Sequence, residues 1–219
     1  MPRLMFEKVG NAVWISHLDL MRLFQRAFKR SGLLLKHTQG FNPRPSVSIA
    51  LPLSVGIESR CELLDFDLDG QTVANDEIMT RLNGAVVDGI RVLAVYDDGR
   101  KIGKLAFMDC EVRLEYDRGV PENTPEQIKT LFARDEIIVD KKSKNGPTEQ
   151  NIAPMIKKLA VSRPDANTVL IEARICCQNP TLNPAAFGAA ITKYLPELTP
   201  SYAVCRRIRL FDNDEKPFR

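Results

Sequence analysis

Two histidines and a single tryptophan are all that the 219 residues hold of those types, so a metal cage or catalytic network built from several imidazoles is excluded. The five cysteines, Cys61, Cys110, Cys176, Cys177 and Cys205, are odd in number and nowhere spaced as C-x-x-C, which leaves no zinc or iron–sulfur signature. Most of them sit in apolar stretches and read as small buried hydrophobes. No apolar run reaches the roughly 20 residues that cross a bilayer, and residues 1–8 lack the apolar stretch and small-residue cleavage site of a leader. The expectation is a cytoplasmic protein with no metal and no cofactor of its own.

What is present is enough for a real core. With 44% hydrophobic and 27% charged positions, the chain can build one large domain or two small ones. The net charge of +3 is modest, but it is unevenly spread. Residues 1–60 carry nine Lys/Arg against three acids, whereas residues 61–98 carry nine acids against Arg81 and Arg91. Such asymmetry can steer an anionic partner to one face, unless the two segments neutralise each other as neighbours in the fold.

Apolar alternation predicts strands at residues 4–9 and 13–15 around a turn at Gly10, after which Ser16 and Asp19 have the spacing of a capping box. A helix starts there. Leu20, Met21, Leu23, Phe24, Ala27 and Phe28 fall on one face and Arg22, Gln25, Arg26, Lys29 and Arg30 on the other, up to Gly32. The turn-rich run Gly40-Phe41-Asn42-Pro43-Arg44-Pro45 precedes an alternating strand at 47–55, which Pro52 assigns to an edge or a bulge. A strand at 62–68, a helix at 75–82 and a strand at 90–96 complete a βαββαβ order. Residues 97–101 read as a linker. A second pass gives strand 108–116, helix 125–133, strand 136–141, an inserted helix 152–159, strand 168–176, helix 184–194 and strand 202–211. The expected fold is α+β: two ferredoxin-like halves in tandem, 1–98 and 104–219, each an antiparallel sheet with helices on one face and the second with an inserted helix.

Several of these segments carry a resemblance. Residues 14–22 (WISHLDLMR), Gln25-Arg26-Ala27, the Gly40 to Pro45 turn and residues 51–59 (LPLSVGIES) resemble the family of uncharacterised bacterial radical-SAM-linked proteins. The likeness extends to Lys141-Lys142-Ser143-Lys144-Asn145-Gly146 and Leu182-Asn183-Pro184. It implies a radical SAM protein as partner, encoded beside or fused to family members. Arg44 stands where the family pattern has histidine, which removes one candidate ligand or acid–base group.

Without a three-cysteine cluster motif this chain is expected to be the accessory and not the catalyst. The leading expectation is a non-catalytic protein that binds or presents a structured RNA, such as tRNA or rRNA, to the radical SAM partner. Arg22, Arg26, Lys29, Arg30, Lys36 and Arg44, with Lys141, Lys142 and Lys144, would follow the phosphates. Trp14 and Phe41 are expected in the core, stacking on an unpaired base being their alternative. His17, Asp19, Phe41 and Asn42 mark the motif surface. A second reading is a metal-independent RNA-cleaving enzyme with His17 or His37 as acid or base, although His17 falls on the wheel position facing the sheet. A third is a protein-docking module using the acidic segment 61–98 or the helix 184–194.

Overall fold

A computed structural model of the chain describes residues 1–143 and 146–219. The protein is a mixed α+β fold in two compact units, residues 1–104 with 217–219 and residues 105–216.

In the first unit β1 (Arg3–Lys8) lies antiparallel between β3 (Glu58–Phe66) and β4 (Ile90–Tyr96), and β2 (Val47–Ala50) pairs antiparallel with β3. The strand order is therefore β4-β1-β3-β2. Alternation on β1 turns Leu4 and Phe6 into the core, where they meet Leu20, Phe24, Ala27 and Phe28 of α1 (His17–Arg30) and Ile78 and Leu82 of α2 (Asn75–Asn83). Phe6 and Phe24 pack edge to face at 4.7 Å, and Phe28 lies 5.0 Å from Phe66. Burying each such ring contributes about 1.5–3 kcal/mol. The helix begins where the capping box placed it: the Ser16 hydroxyl accepts from the Asp19 amide at 3.2 Å and donates to its carboxylate at 2.8 Å.

The strand expected at 13–15 is instead a 3-10 helix, Gly10–Trp14. The chain turns at Gly10 with φ 56°, the Ile15 amide bonds back to the Ala12 carbonyl at 3.0 Å, and the Gly56 amide takes the Val13 carbonyl at 2.9 Å. The Lys8 ammonium, 1% exposed, completes the segment by donating to the carbonyls of Val13 (3.2 Å) and Ile15 (2.8 Å). The edge strand expected at 47–55 ends at Ala50, because Leu51 takes a left-handed backbone (φ 49°) and Pro52 offers no amide to a ladder. Gly89 packs against the turn at Gly10: its φ is 82° and a Cβ there would sit 2.4 Å from the Val9 carbonyl oxygen. Gly89→Ala is expected to lower stability by about 2–4 kcal/mol, read as a shift in the urea midpoint.

Residues 97–101 are held within this unit. Arg219 pairs with Asp98 at 2.8 Å, the Arg100 amide bonds the Arg219 carbonyl at 3.0 Å, and the Phe218 ring lies under Arg100 (4.8 Å) and Arg3 (5.7 Å).

The second unit has the antiparallel order β10-β5-β9-β8, from β5 (Leu105–Glu115), β8 (Ile156–Asp165), β9 (Thr168–Cys176) and β10 (Tyr202–Asp212). Helices α3 (Thr124–Phe132) and α4 (Ala186–Tyr194) bury Ile128, Leu131, Phe187 and Ile191, with Phe132 and Phe187 edge to face at 5.0 Å. A separate hairpin, β6 (Ile138–Ser143) with β7 (Gly146–Asn151), follows α3. No inserted helix occupies 152–159. Ala153–Met155 is one 3-10 turn with Pro154 in it, and β8 begins at Ile156. The 3-and-4 spacing of Ile152, Met155, Ile156 and Leu159 imitates a helix, but pairing with β9, Leu159 opposite Ala173 and Val161 opposite Ile171, satisfies the backbone and buries Val161.

None of the five cysteines forms a disulfide, and all are buried. Burial pushes the thiols of Cys110 and Cys177 up to about 12 and that of Cys205 to about 11, and the phenols of Tyr96 and Tyr116 to about 12. Each raised group contributes stability that is intact below its unfolded value, 9.0 for thiol and 10.0 for phenol, and is lost as pH climbs to the folded one. Lys8 works in the opposite sense: burial lowers its pKa from 10.5 against the pull of Glu62, so its contribution grows as pH rises toward 10.5 and is then complete. The melting temperature is expected to fall most clearly between pH 10.5 and 12, and Cys110→Ala should flatten that fall.

Candidate nucleic-acid interface

In the first unit the polar face of α1 and the segment that follows it form one continuous surface. After Gly32 (φ 71°) the chain runs through three consecutive leucines. An extended segment turns successive side chains to opposite sides, so Leu33 (0% exposed) and Leu35 (8%) enter the core while Leu34 is left 55% exposed. The chain then folds on itself. His37 bridges to Pro45, the Thr38 amide bonds the Arg44 carbonyl at 2.8 Å, and the Arg44 amide bonds the Thr38 hydroxyl at 3.0 Å. Gly40, at φ 127°, and Pro43 shape the tip, and residues 38–44 are all exposed.

Phe41 stands at that tip with its whole side chain in solvent, 106% exposed. The core position expected for it is thus incorrect, because a loop closed at Thr38 and Arg44 leaves its tip nothing to pack on. Trp14 is likewise outside the core, 63% exposed: its 3-10 turn buries Ala12 and Val13, and the ring rests beside Gly56, where a Cβ would come within 3.5 Å. Leu18, in the first turn of α1, and Val55, next to Gly56, are exposed as well. Asn42 is exposed in the loop, and His17 is half-buried at the first residue of α1.

Between α1 and the loop runs a groove of about 490 Å³. Phe28, Leu33, Leu34, Leu35 and Pro45 give it an apolar lining, and Gln25, Arg26, Lys29, His37 and Asp69 supply its polar groups. Three of the basic-region residues singled out above, Arg26, Lys29 and His37, therefore meet at one place. The groove itself was missed by the sequence reading. Its one signal was the Leu33-Leu34-Leu35 run, which no single strand can bury on one side.

The cations divide into bound and free. Arg22 pairs with Asp19 at 3.0 Å, and the Ser16 hydroxyl together with Arg22 holds the Asp19 carboxyl below the usual carboxylate range. Asp19 is thereby explained as a cap. Arg30 donates to the Ala85 carbonyl, and Lys36 pairs with Asp67 at 3.6 Å. Among the described residues no carboxylate forms an ion pair with Arg26, Lys29 or Arg44, and all three are exposed. The acidic run is partly neutralised within the unit, Asp65 by Arg3 at 2.6 Å and Asp98 by Arg219. In the second unit Lys141 is exposed on β6 and Lys142 lies opposite Pro147 in the hairpin, while Lys144 lies outside the described residues.

No cluster of three or more His, Cys, Asp or Glu side chains suited to a metal ion occurs among the described residues, and no described helix is long and apolar enough to cross a membrane.

The model of a family described as "Uncharacterized protein conserved in bacteria (DUF2344)" matches residues 2–184. No curated protein matches the chain. Among solved structures, its fold is similar to one in the crystal structure of a Cbf5-Nop10-Gar1 complex, with a TM-score of 0.56 at 11% identity, covering 98% of this chain and 50% of that one. It is also similar to one in the structure of an H/ACA RNP bound to a substrate RNA containing 2'-deoxyuridine, with a TM-score of 0.51 at 10% identity, covering 98% of this chain and 48% of that one. The chain spans about half the length of both, and the likeness is one of fold.

Proposed function

We propose that this chain, which belongs to the family of uncharacterized proteins conserved in bacteria (DUF2344), binds a structured RNA through its first unit and acts as a non-catalytic accessory of a radical SAM protein. The observation that carries the RNA reading is the set of exposed cations that form no ion pair with a carboxylate among the described residues, Arg26, Lys29 and Arg44, around the groove and its loop. A cation already paired gains little from a phosphate, whereas a free one releases counterions from the nucleic acid when it docks. Arg26 and Lys29 are three residues apart and so share one helix face. The fold is compatible, since one similar structure is that of an H/ACA RNP bound to a substrate RNA. The radical SAM partner rests on the sequence segments at residues 14–22, 40–45 and 51–59.

The scaffold reads as two ferredoxin-like halves. The orders β4-β1-β3-β2 and β10-β5-β9-β8 are the same pattern once the β6–β7 hairpin is set aside. In the alternative reading of an RNA-cleaving enzyme with His17 or His37 as acid or base, His37 lines the groove beside Arg26 and Lys29. His17 begins α1, about 12 Å or more along the axis from Gln25 to Lys29 at 1.5 Å per residue.

The test is fluorescence anisotropy with tRNA and ribosomal RNA fragments from low to physiological salt, for the wild type and an Arg26→Glu/Lys29→Glu variant. Tight, salt-sensitive binding that the variant loses supports the reading; absence of binding, or equal binding by the variant, overturns it. Co-purification with the radical SAM protein at high salt checks the accessory role separately.

A further inference from the structure

We propose that the groove beside α1 is a pocket for an unpaired nucleobase of the bound RNA, with Phe41 as a stacking face for a neighbouring base. The inference deepens the RNA-binding reading of the same surface and rests on it. Phosphate contacts alone would need only the cations. They do not account for Leu34, 55% exposed on the wall of a groove whose other apolar lining is Phe28, Leu33, Leu35 and Pro45, nor for a wholly exposed phenyl ring at the tip of a hydrogen-bonded loop.

Its size of about 490 Å³ lies in the range that encloses small organic ligands. Bases inside an A-form duplex are stacked and out of reach of side chains, so apolar walls and a lone aromatic favour RNA only where a base is splayed out. The polar groups point to a base more than to an aliphatic side chain or a lipid tail. Gln25 and Asp69 offer an amide and a carboxylate, which pair with the amino and ring-nitrogen edges of bases but would be left unmatched by a purely apolar occupant. Arg26 and Lys29 supply the charge that a flanking phosphate needs, and they outnumber the one carboxylate, Asp69, in the groove. His37, at the base of the loop, is placed to contact sugar or phosphate.

Charge and stacking can be separated by experiment. Affinities of the full chain are measured for a single-stranded RNA and for a blunt duplex with the same number of phosphates, over a range of salt. Leu34→Ser and Phe41→Ala leave charge untouched and alter exposed side chains, so both should fold; circular dichroism verifies it. The wild type should prefer the single strand by about tenfold or more. Each variant should lose about five- to a hundredfold on the single strand, little on the duplex, with the slope of log K against log salt unchanged. Ultraviolet crosslinking should place adducts on groove and loop residues between 25 and 45. Equal affinity for duplex and single strand, wild-type binding by both variants, or adducts confined to other segments overturns the pocket. If the Arg26→Glu/Lys29→Glu variant still loses binding in that case, RNA binding by this face stands and only the base pocket falls. If Leu34→Ser instead releases a protein partner and leaves RNA affinity unchanged, the groove is a protein site and the proposal is wrong.

Discussion

The Arg26→Glu/Lys29→Glu variant should bind RNA about a hundredfold more weakly than the wild type at low salt, a loss of about 2.7 kcal/mol. It should also lose about two from the slope of log K against log salt. Both residues are exposed, line the groove and lack an ion-pair partner among the described residues, so the change acts on the ligand and not on the fold. Arg22→Glu is the internal control. Arg22 is committed to Asp19 at 3.0 Å, and an exposed pair of this kind is worth under about 1 kcal/mol. Its reversal should move RNA affinity by only a few-fold. A variant set in which Arg22 mattered as much as Arg26 and Lys29 would place the RNA nearer the start of α1, beside Trp14.

Lys8→Met should cost about 1–3 kcal/mol of stability, read from urea unfolding followed by circular dichroism. Methionine fills the same space, so no cavity is at issue. The loss comes chiefly from the Ile15 carbonyl, which now accepts from the ammonium at 2.8 Å and would lose that donor, whereas the Val13 carbonyl, 3.2 Å from the ammonium, keeps the Gly56 amide at 2.9 Å. Each buried unsatisfied group costs about 1–3 kcal/mol. Relief from keeping a buried ammonium, visible in the lowered pKa of Lys8, offsets part of the cost. Trp14 sits between those two carbonyls and is the only tryptophan, so its emission should report the loosened segment without interference. Unchanged stability would mean that the Gly56 and Ala12 hydrogen bonds hold the turn by themselves.

Where periodicity and capping agreed, the sequence was a sufficient guide. Ser16 and Asp19 announced α1, its apolar positions at 20, 24, 27 and 28 are the ones buried, and the strands at 90–96 and 168–176 lie at the residues that alternation indicated. Misreadings arose where distant partners decide the backbone. Residues 152–159 carry a helical spacing, but β9 supplies a ladder that the local pattern cannot show. Residues 13–15 are apolar enough for a strand, yet Lys8 and Gly56 hold them in a tight turn.

The site divides in the same way. The sequence by itself determined that the first sixty residues are basic, that the cations stand on one face of α1, and that a proline- and glycine-rich turn follows; these are properties of composition and of a 3.6-residue period. Only the tertiary structure decided which cations remain free. That depends on where Asp19, Asp67 and the Ala85 carbonyl come to lie, and two of these are brought near from far along the chain. It also decided that Phe41 and Trp14 face solvent and that Leu34 opens onto a groove, because burial is settled by what the rest of the chain leaves uncovered.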